Sequence, residues 1–148
     1  MEKSIKSHLE KIFKHININP EVEIKEGEKD SFAVEINGNN LNFLIGYRGE
    51  TLEALQNIIR QAIFKEKETW PKLHIDINGY QKSKLEKLED TVKGFIDRVR
   101  FHQKEIKLPP LTSYERRHIH TFVGDYMDVE SESKGEGLNR RLFLKPKD

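Results

Sequence analysis

The stretch "NFLIGYRGETLEALQNII", residues 42–59, joins a short apolar run to a strongly periodic segment through two glycines that flank a tyrosine and an arginine. Apolar residues recur at helical spacing over residues 50–64, and this pattern predicts an amphipathic helix. Glycine lacks a Cβ atom, and the first backbone N–H groups of a helix have no partner inside it. We therefore predict that Gly46 and Gly49 leave room at the start of this helix for a phosphate, which the amide groups and Arg48 would bind.

The loop also has a simpler interpretation, because any tight turn into a helix can use two glycines. Tyr47 would supply either a ring for base stacking or a hydroxyl for a sugar-phosphate contact. Glu50 is placed to stabilise the helix dipole, but its charge repels an incoming phosphate. We therefore expect this loop to bind a polyanion weakly, or with the help of a partner.

The residues around this stretch predict an α+β unit with one sheet. A helical stripe over residues 3–16 ends before Pro20, and alternation of apolar and polar residues predicts strands near 21–26 and 31–37. One helical turn is predicted at 41–45, and "KLHIDING" predicts a third strand. The order helix, strand, strand, short helix, helix, strand is typical of a three-stranded sheet covered by helices on one face.

The rest of the chain predicts a second small unit. A long helix is expected over residues 81–102, rigidly joining two small cores, and a short strand is expected in "EIKLPPL". A further helix in "TSYERRHIHTFVG" precedes two strands, "MDVESES" and "NRRLFLKP", joined by a turn at Gly135 and Gly137. The predicted division of the chain is 1–79 and 80–148.

Composition excludes several classes of protein. The chain has no cysteine, which rules out disulfides, thiolate metal sites and a cysteine nucleophile. No segment approaches the roughly 20 apolar residues that cross a bilayer, so we expect a cytoplasmic protein without membrane insertion. Lys and Arg total 26 against 25 Asp and Glu. Net charge therefore gives no sign of polyanion binding, and any such surface has to be local, as in the cation-rich residues 98–120.

Arg116 and His120 form the second candidate site. Thr112 and Glu115 fit a capping box that begins a helix at Ser113, so Arg116 and His120 lie four residues apart on one helix face. An arginine fork and an imidazole one turn apart can both donate hydrogen bonds to a phosphate. The alternative is an ordinary surface pair.

Both candidate sites match known modules. Ile45-Gly46-Tyr47-Arg48-Gly49, within this order of elements, resembles the nucleic-acid-clamping loop of a type II KH domain, which holds about four nucleotides. The spacing of Arg116 and His120, with "LPPLTSYER" before it and "VESESKGEGLNRRLFLKP" after it, is similar to the R-three-H domain, which is named for this pair and associated with single-stranded nucleic acid. The two modules in this order resemble the Jag family, also called KhpB or SpoIIIJ-associated proteins.

The resemblance implies an α+β fold: a type II KH domain (α-β-β-α-α-β, a three-stranded sheet with helices on one face) at 1–79, then a small α/β R-three-H domain (α-β-α-β-β) at 80–148. Many family members begin with another small domain, which we expect this chain to lack. The residues implied in RNA binding are Gly46, Tyr47, Arg48, Gly49, Arg116 and His120, with Arg117, Arg140 and Arg141 as candidates for the surrounding basic surface.

The resemblance also implies a function: a bacterial, non-enzymatic protein that binds single-stranded RNA, or single-stranded DNA, without cofactor or metal. It implies post-transcriptional regulation linked to cell shape, elongation and division, and a chaperone role. The implied protein partners are a small single-domain KH protein and a second copy paired through KH domains. The alternative is a KH-mediated interaction scaffold with incidental RNA contact, which the near-neutral composition and Glu50 favour.

Other groupings are weaker. His118 and His120 point about 200° apart on a helix, so they do not share a metal ion. Ser113, His118 and Asp125 are residue types of a hydrolase triad, but no nucleophile elbow accompanies them. Trp70, at the start of a predicted strand, either stacks on a base or belongs to the edge of the core, and a lone Trp favours the core edge.

Overall fold

The computed structural model describes all residues, 1–148, and they divide into two compact units. The N-terminal unit comprises Met1–Lys82 and the C-terminal unit comprises Ser83–Asp148. Each unit has its own hydrophobic core.

The N-terminal unit has the order of elements that the sequence predicts, α-β-β-α-α-β. Its helices and strands are α1 (Glu2–His15), β1 (Glu21–Glu26), β2 (Ser31–Asn37), α2 (Asn42–Ile45), α3 (Glu50–Lys67) and β3 (Lys72–Ile77). A single 3₁₀ turn, Tyr47–Gly49, lies between α2 and α3. Strand β2 is central, antiparallel to β1 and parallel to β3.

One face of this sheet carries the core. Alternate residues of β2 and β3 are buried, as a half-buried strand requires, and the helices contribute the remaining apolar side chains. The buried residues of the helices are Ile5, Leu9, Phe13, Leu44, Ile45, Leu52, Leu55, Ile59 and Ile63. The prediction of a three-stranded sheet with helices on one face is therefore confirmed.

The C-terminal unit has the predicted order α-β-α-β-β. Its elements are α4 (Tyr80–His102, whose first turn belongs to the N-terminal unit), β4 (Ile106–Lys107), α5 (Ser113–Gly124), β5 (Val129–Lys134) and β6 (Arg141–Pro146). Strand β6 is central and antiparallel to both β4 and β5. The core consists of side chains from one stripe of each helix together with alternate strand residues, including Val92, Ile96, Val99, Ile119, Val123, Leu142 and Leu144.

None of the helices combines the length and apolar composition needed to span a membrane.

Trp70 is not at the edge of the core, and the interpretation that the sequence favoured is wrong. Its indole stacks on Phe64, with 4.3 Å between ring centroids and 10° between ring planes. Neither ring joins the core cluster of the N-terminal unit. The prediction failed because α3 continues three residues past Phe64 to Lys67, so the chain returns beside the exposed end of the helix.

Candidate nucleic-acid interface

The loop between α2 and α3 requires glycine at two positions. Gly46 has φ 73° and ψ −172°, a region that is essentially restricted to glycine. Gly49 has φ 80° and ψ 13°, in the left-handed region. Arg48 is also left-handed, with φ 53°, which is uncommon for a residue with a Cβ atom. Three positive φ values within four residues turn the chain sharply from α2 into α3.

The missing side chains of these glycines face the protein, and this corrects the predicted reason for their presence. A Cβ atom on Gly46 would lie 2.1 Å from Thr51 Oγ1, and one on Gly49 would lie 3.0 Å from the ring of Tyr80. Gly49 itself is buried. The space left by the glycines is therefore occupied by the chain's own atoms, and any phosphate would meet the opposite, backbone side of the loop.

Tyr80 lies against this loop at Gly49, and Asp76 fixes the start of the helix that carries Tyr80. Sequence reasoning missed both residues. The Asp76 carboxylate accepts hydrogen bonds from the backbone N–H groups of Ile77 and Gln81, each at 2.8 Å, and from that of Lys82 at 3.3 Å. This contact fixes the start of α4, whose first residue, Tyr80, packs against the core and under Gly49. An aspartate just before an Asn-Gly turn and a helix is the sequence signal that would have indicated such a cap.

The loop has hydrogen-bonding groups without a partner in the protein. The backbone N–H groups of Tyr47 and Arg48 donate no hydrogen bond within the protein, and no side chain caps the first turn of α3. Tyr47 is 70% exposed, and the Arg48 guanidinium lies over its ring at 5.0 Å from the centroid. Arg48 makes no ion pair, so two amides and one cation remain available to an anion. Glu50, on the first turn of α3, is exposed and opposes that charge.

Helix α5 begins as the sequence predicts. The Thr112 hydroxyl accepts a hydrogen bond from the backbone N–H of Glu115 at 3.2 Å, and the Glu115 carboxylate accepts one from the backbone N–H of Thr112 at 2.9 Å. The predicted capping box is confirmed, and it fixes the start of the helix that carries Arg116 and His120.

Arg116 and His120 are each bound to another part of the C-terminal unit. The Arg116 guanidinium donates to the carbonyl oxygen of Leu111 at 2.6 Å and to the Ser113 hydroxyl at 3.0 Å, which ties α5 to the segment before it. His120 Nδ1 is 2.6 Å from the Ser131 hydroxyl on β5. Arg116 is partly buried and His120 is exposed. The second ring nitrogen of His120 and the remaining guanidinium N–H groups make no hydrogen bond.

The remaining arginines of the predicted basic surface differ in whether their side chains are hydrogen-bonded within the protein. Arg140 donates to the carbonyl oxygen of Gly135 at 2.9 Å, and Arg141 donates to those of Leu138 at 2.6 Å and Arg140 at 2.9 Å, so both stabilise the turn between β5 and β6. The side chain of Arg117 is exposed and makes no hydrogen bond or ion pair. Among the predicted contact residues of this unit, Arg117 has the most readily available charge.

The residue types considered for metal binding or hydrolysis are used elsewhere. His118 Nε2 is 2.6 Å from a carboxylate oxygen of Glu89 on α4, and the Ser113 hydroxyl accepts from Arg116. No three side chains of the types His, Cys, Asp and Glu are grouped so that they would hold a metal ion.

Comparison with known proteins identifies both units. Residues 3–77 match the family described as KhpA/KhpB, KH domain, and residues 83–146 match the R-three-H domain. The chain is 30% identical over 138 residues to the RNA-binding protein KhpB of Clostridium symbiosum, which covers 92% of this chain and 62% of that protein. It is 30% identical over 144 residues to the RNA-binding protein KhpB of Bacillus subtilis (strain 168), covering 96% of this chain and 69% of that protein.

A third relative is the RNA-binding protein KhpB of Streptococcus pneumoniae, 27% identical over 114 residues, or 77% of this chain and 35% of that protein. The chain thus spans about two thirds of the length of the first two relatives and about one third of the third. This family is one of RNA-binding proteins and not of enzymes. With a KH domain of the KhpA/KhpB type followed by an R-three-H domain, and with relatives that match over most of its residues, the chain belongs to the KhpB (Jag) family.

Proposed function

We propose that this chain binds single-stranded RNA at two places, the loop of residues 46–49 and the outer face of α5. The loop supports the proposal most strongly. Two adjacent backbone N–H groups, at Tyr47 and Arg48, have no partner and lie beside an exposed cation. Backbone amides at the start of a helix are well suited to bind phosphate oxygens, and a KH loop clamps about four nucleotides in this way.

The second place consists of Arg116, His120 and Arg117 on α5, with Arg140 and Arg141 after β5. Arg117 would contact a phosphate with its whole guanidinium. Arg116 and His120 would contact one only with the N–H groups that make no hydrogen bond within the protein. Two weak sites on one chain bind a single strand more tightly than either does alone, because the second contact forms at a high effective concentration. We propose the functional boundary of the two domains at residues 79 and 80.

The cellular setting belongs to the same proposal. We infer a cytoplasmic bacterial protein that acts on transcripts after their synthesis, in the control of cell shape, elongation and division, with a chaperone role. A small single-domain KH protein and a second copy of this chain are the proposed protein partners. Single-stranded DNA is the competing ligand, and it lacks the 2′-hydroxyl that distinguishes RNA.

The test is fluorescence anisotropy of a labelled single-stranded RNA of about 12 nucleotides, within the roughly 4 to 16 nucleotides that single-strand sites occupy. Arg48→Ala should weaken binding and lower the slope of affinity against salt by roughly 0.7, the value of one lost phosphate contact. Lys6→Ala, an exposed cation on α1, is the control of equal charge. Equal binding by Arg48→Ala and the unchanged protein would remove the loop from the proposed site.

An interaction scaffold is the second candidate, and one surface of α3 favours it. Ile58 is 57% exposed and lies four residues from both Ala54 and Ala62. This spacing forms a small apolar stripe that another helix could cover. Ile58→Asp should lower the sedimentation coefficient of the RNA-free protein if the stripe pairs two copies. An assembly that depends on Ile58, together with RNA binding that is unaffected by Arg48, would favour the scaffold.

A further inference from the structure

The stacked rings of Phe64 and Trp70 form an aromatic surface outside the core. Their planes are nearly parallel, and Phe64 is 37% exposed while Trp70 is 53% exposed. An indole with one face covered by a parallel ring leaves its other face to solvent, which accounts for an exposure of about one half. Two adjacent exposed rings form a contiguous apolar patch, which can mark a binding site, whereas exposed apolar residues that stand singly are ordinary.

The backbone holds this pair in place. Glu68 ends α3 in the left-handed conformation, with φ 57°, and its N–H donates to the carbonyl oxygen of Phe64 at 2.8 Å. The chain therefore reverses within two residues and brings Trp70 against Phe64. On the strand side, the Lys72 N–H donates to the carbonyl oxygen of Asp30 at 3.2 Å, which anchors the segment after Trp70. The ring pair is thus fixed at both ends before any ligand arrives.

The charges around the pair favour a polyanion. Residues 60–72 contain four cations, Arg60, Lys65, Lys67 and Lys72, and two carboxylates, Glu66 and Glu68. Glu66 is itself engaged, since it accepts from the Ser4 hydroxyl at 3.0 Å and lies 3.1 Å from His8 Nε2. The hydrogen bonds from Ser4 and His8 lower the pKa of Glu66, with His8 having the larger effect. Lys67 lies 3.8 Å from a carboxylate oxygen of Glu66, and Arg60 donates to the carbonyl oxygen of Leu73 at 2.7 Å, so the unpaired cations here are Lys65 and Lys72. A stacked ring surface beside unpaired lysines is the combination that single-strand binding proteins use.

We propose that Trp70, supported by Phe64, is a separate subsite on which one base of the bound RNA stacks. The inference rests on the proposed function, because its ligand is the same strand that the loop of residues 46–49 would clamp. Phe64 lies 14 residues beyond Glu50, so at about 1.5 Å per residue α3 separates loop and ring pair by about 21 Å. A strand with helical stacking advances about 3.4 Å per nucleotide. About six nucleotides would cover that distance, which exceeds the four that a KH loop holds.

The sequence contains a single tryptophan, so emission excited at wavelengths that tyrosine does not absorb reports on this subsite alone. We expect titration with the same RNA of about 12 nucleotides to quench the fluorescence of Trp70 in parallel with the anisotropy change. Trp70→Leu should weaken binding roughly 5- to 150-fold, the loss seen when one stacked base loses its ring. The dependence on salt should not change, because no charge is removed.

Three variants isolate the stacking. Trp70→Phe keeps a ring and should retain affinity within about threefold, whereas Phe64→Leu removes the supporting ring and should weaken binding while leaving the fluorophore in place. Phe101→Leu, which removes a side chain that is 83% exposed in the C-terminal unit, is the matched control and should bind as the unchanged protein does. Neither ring of the pair belongs to the core, and Phe101 is exposed. These three variants and Trp70→Leu should therefore fold, as circular dichroism and thermal denaturation would verify.

Several outcomes would overturn the subsite. RNA binding without a change in Trp70 fluorescence, or with full affinity in Trp70→Leu, would refute the subsite while leaving the proposed function intact. A fall in sedimentation coefficient of RNA-free Trp70→Leu would indicate that the ring pair contacts protein instead. An absence of RNA binding by the unchanged protein and by Arg48→Ala alike would instead refute the proposed function, and the subsite with it.

Discussion

The loop of residues 46–49 and the basic face of α5 present the same kinds of chemistry to solvent, but the fold uses them differently. At the loop, the amides of Tyr47 and Arg48 and the Arg48 guanidinium make no hydrogen bond with the protein. On α5, Arg116 donates to the carbonyl oxygen of Leu111 in the preceding segment and to the hydroxyl of Ser113 in the first turn, and His120 is bound to a serine of β5. One site is therefore held in shape by its backbone, and the other by the side chains that would also contact the ligand.

This difference decides what a substitution can reveal. Removing Arg48 takes away a proposed ligand contact, while the glycines and Tyr80 still hold the loop conformation. Removing Arg116 takes away a proposed ligand contact and a structural contact together, so a loss of binding alone would not separate them. Stability and RNA affinity, measured on the same variants, separate the two effects.

The largest effect is expected at Gly46. Gly46→Ala places a Cβ atom 2.1 Å from Thr51 Oγ1 in a backbone conformation that is essentially restricted to glycine, and should lower the free energy of unfolding by about 3 kcal/mol. Gly49 has a left-handed conformation that alanine tolerates better, and an added Cβ atom would lie 3.0 Å from the Tyr80 ring. Gly49→Ala should therefore lower the free energy of unfolding by about 1 to 2 kcal/mol. Urea denaturation of each variant measures these losses.

Gly94→Ala is the matched control for both. Gly94 lies within α4, and a Cβ atom added there would meet no other atom. Gly94→Ala should raise the free energy of unfolding by about 0.5 to 1 kcal/mol. A Gly46→Ala variant as stable as the Gly94→Ala variant would show that the loop is not constrained in the way that its dihedral angles indicate.

Arg116 and Arg117 give a smaller and more selective comparison. Arg116→Ala should lower the free energy of unfolding by about 1 to 2 kcal/mol, because two hydrogen bonds from a charged group are lost. Arg117→Ala should change it by no more than about 0.5 kcal/mol, since its exposed side chain has no partner.

RNA affinity at several salt concentrations provides the second measurement. Arg117→Ala should reduce both affinity and salt dependence without loss of stability, whereas Arg116→Ala should reduce all three. If Arg117→Ala leaves RNA affinity unchanged, the outer face of α5 is not a phosphate-contacting surface.

The smallest effect concerns pH. Arg100 Nε donates to Asp128 at 2.6 Å, and Nη2 donates to the second carboxylate oxygen at 3.0 Å. These hydrogen bonds lower the pKa of Asp128 in the folded protein. Because the folded-state pKa is below the unfolded value of about 3.9, the contact stabilises the protein above about pH 4, and this contribution is lost as pH falls through the folded-state pKa.

Asp128→Asn should therefore remove this part of the acid sensitivity, as thermal denaturation between about pH 2 and pH 7 would show. Asp97→Asn is the matched variant, since Asp97 lies 3.7 Å from the same guanidinium without a hydrogen bond. It should change the stability at neutral pH less than Asp128→Asn does. If unchanged protein and Asp128→Asn lose stability identically with acid, the Arg100 contact is not formed in solution. The effect bears on the α5 site, because Asp128 immediately precedes β5, which carries Ser131.

The order of elements and most of their limits could be predicted because local patterns decide them. The strands at 21–26 and 31–37 and the start of α5 at Ser113 agree with alternation and with the capping box. The same patterns were less reliable about which residues are buried. Ile58 and Ile16 belong to predicted apolar stripes, yet both are exposed, because a stripe can be wider than the surface that covers it.

Contacts between residues distant in sequence could not be predicted. The ring of Tyr80 fills the space beside Gly49, 31 positions earlier in the chain, and no periodicity relates the two. Trp70 has the same neighbours in sequence whether it enters the core or stacks on Phe64. Arg116 and Arg117 are adjacent and chemically identical, and only their surroundings distinguish a structural cation from an available one.

The sequence alone determined the family, the two α+β units, and the positions of the loop and of the Arg116–His120 pair. These features follow from local spacing and short-range conformational preference, which depend only on residues close together in the sequence. Tertiary structure alone decided that the glycines turn their missing side chains inward, that the cations of α5 are partly used by the fold, and that an aromatic pair stands outside the core. Those outcomes depend on which atoms of distant segments occupy the same space.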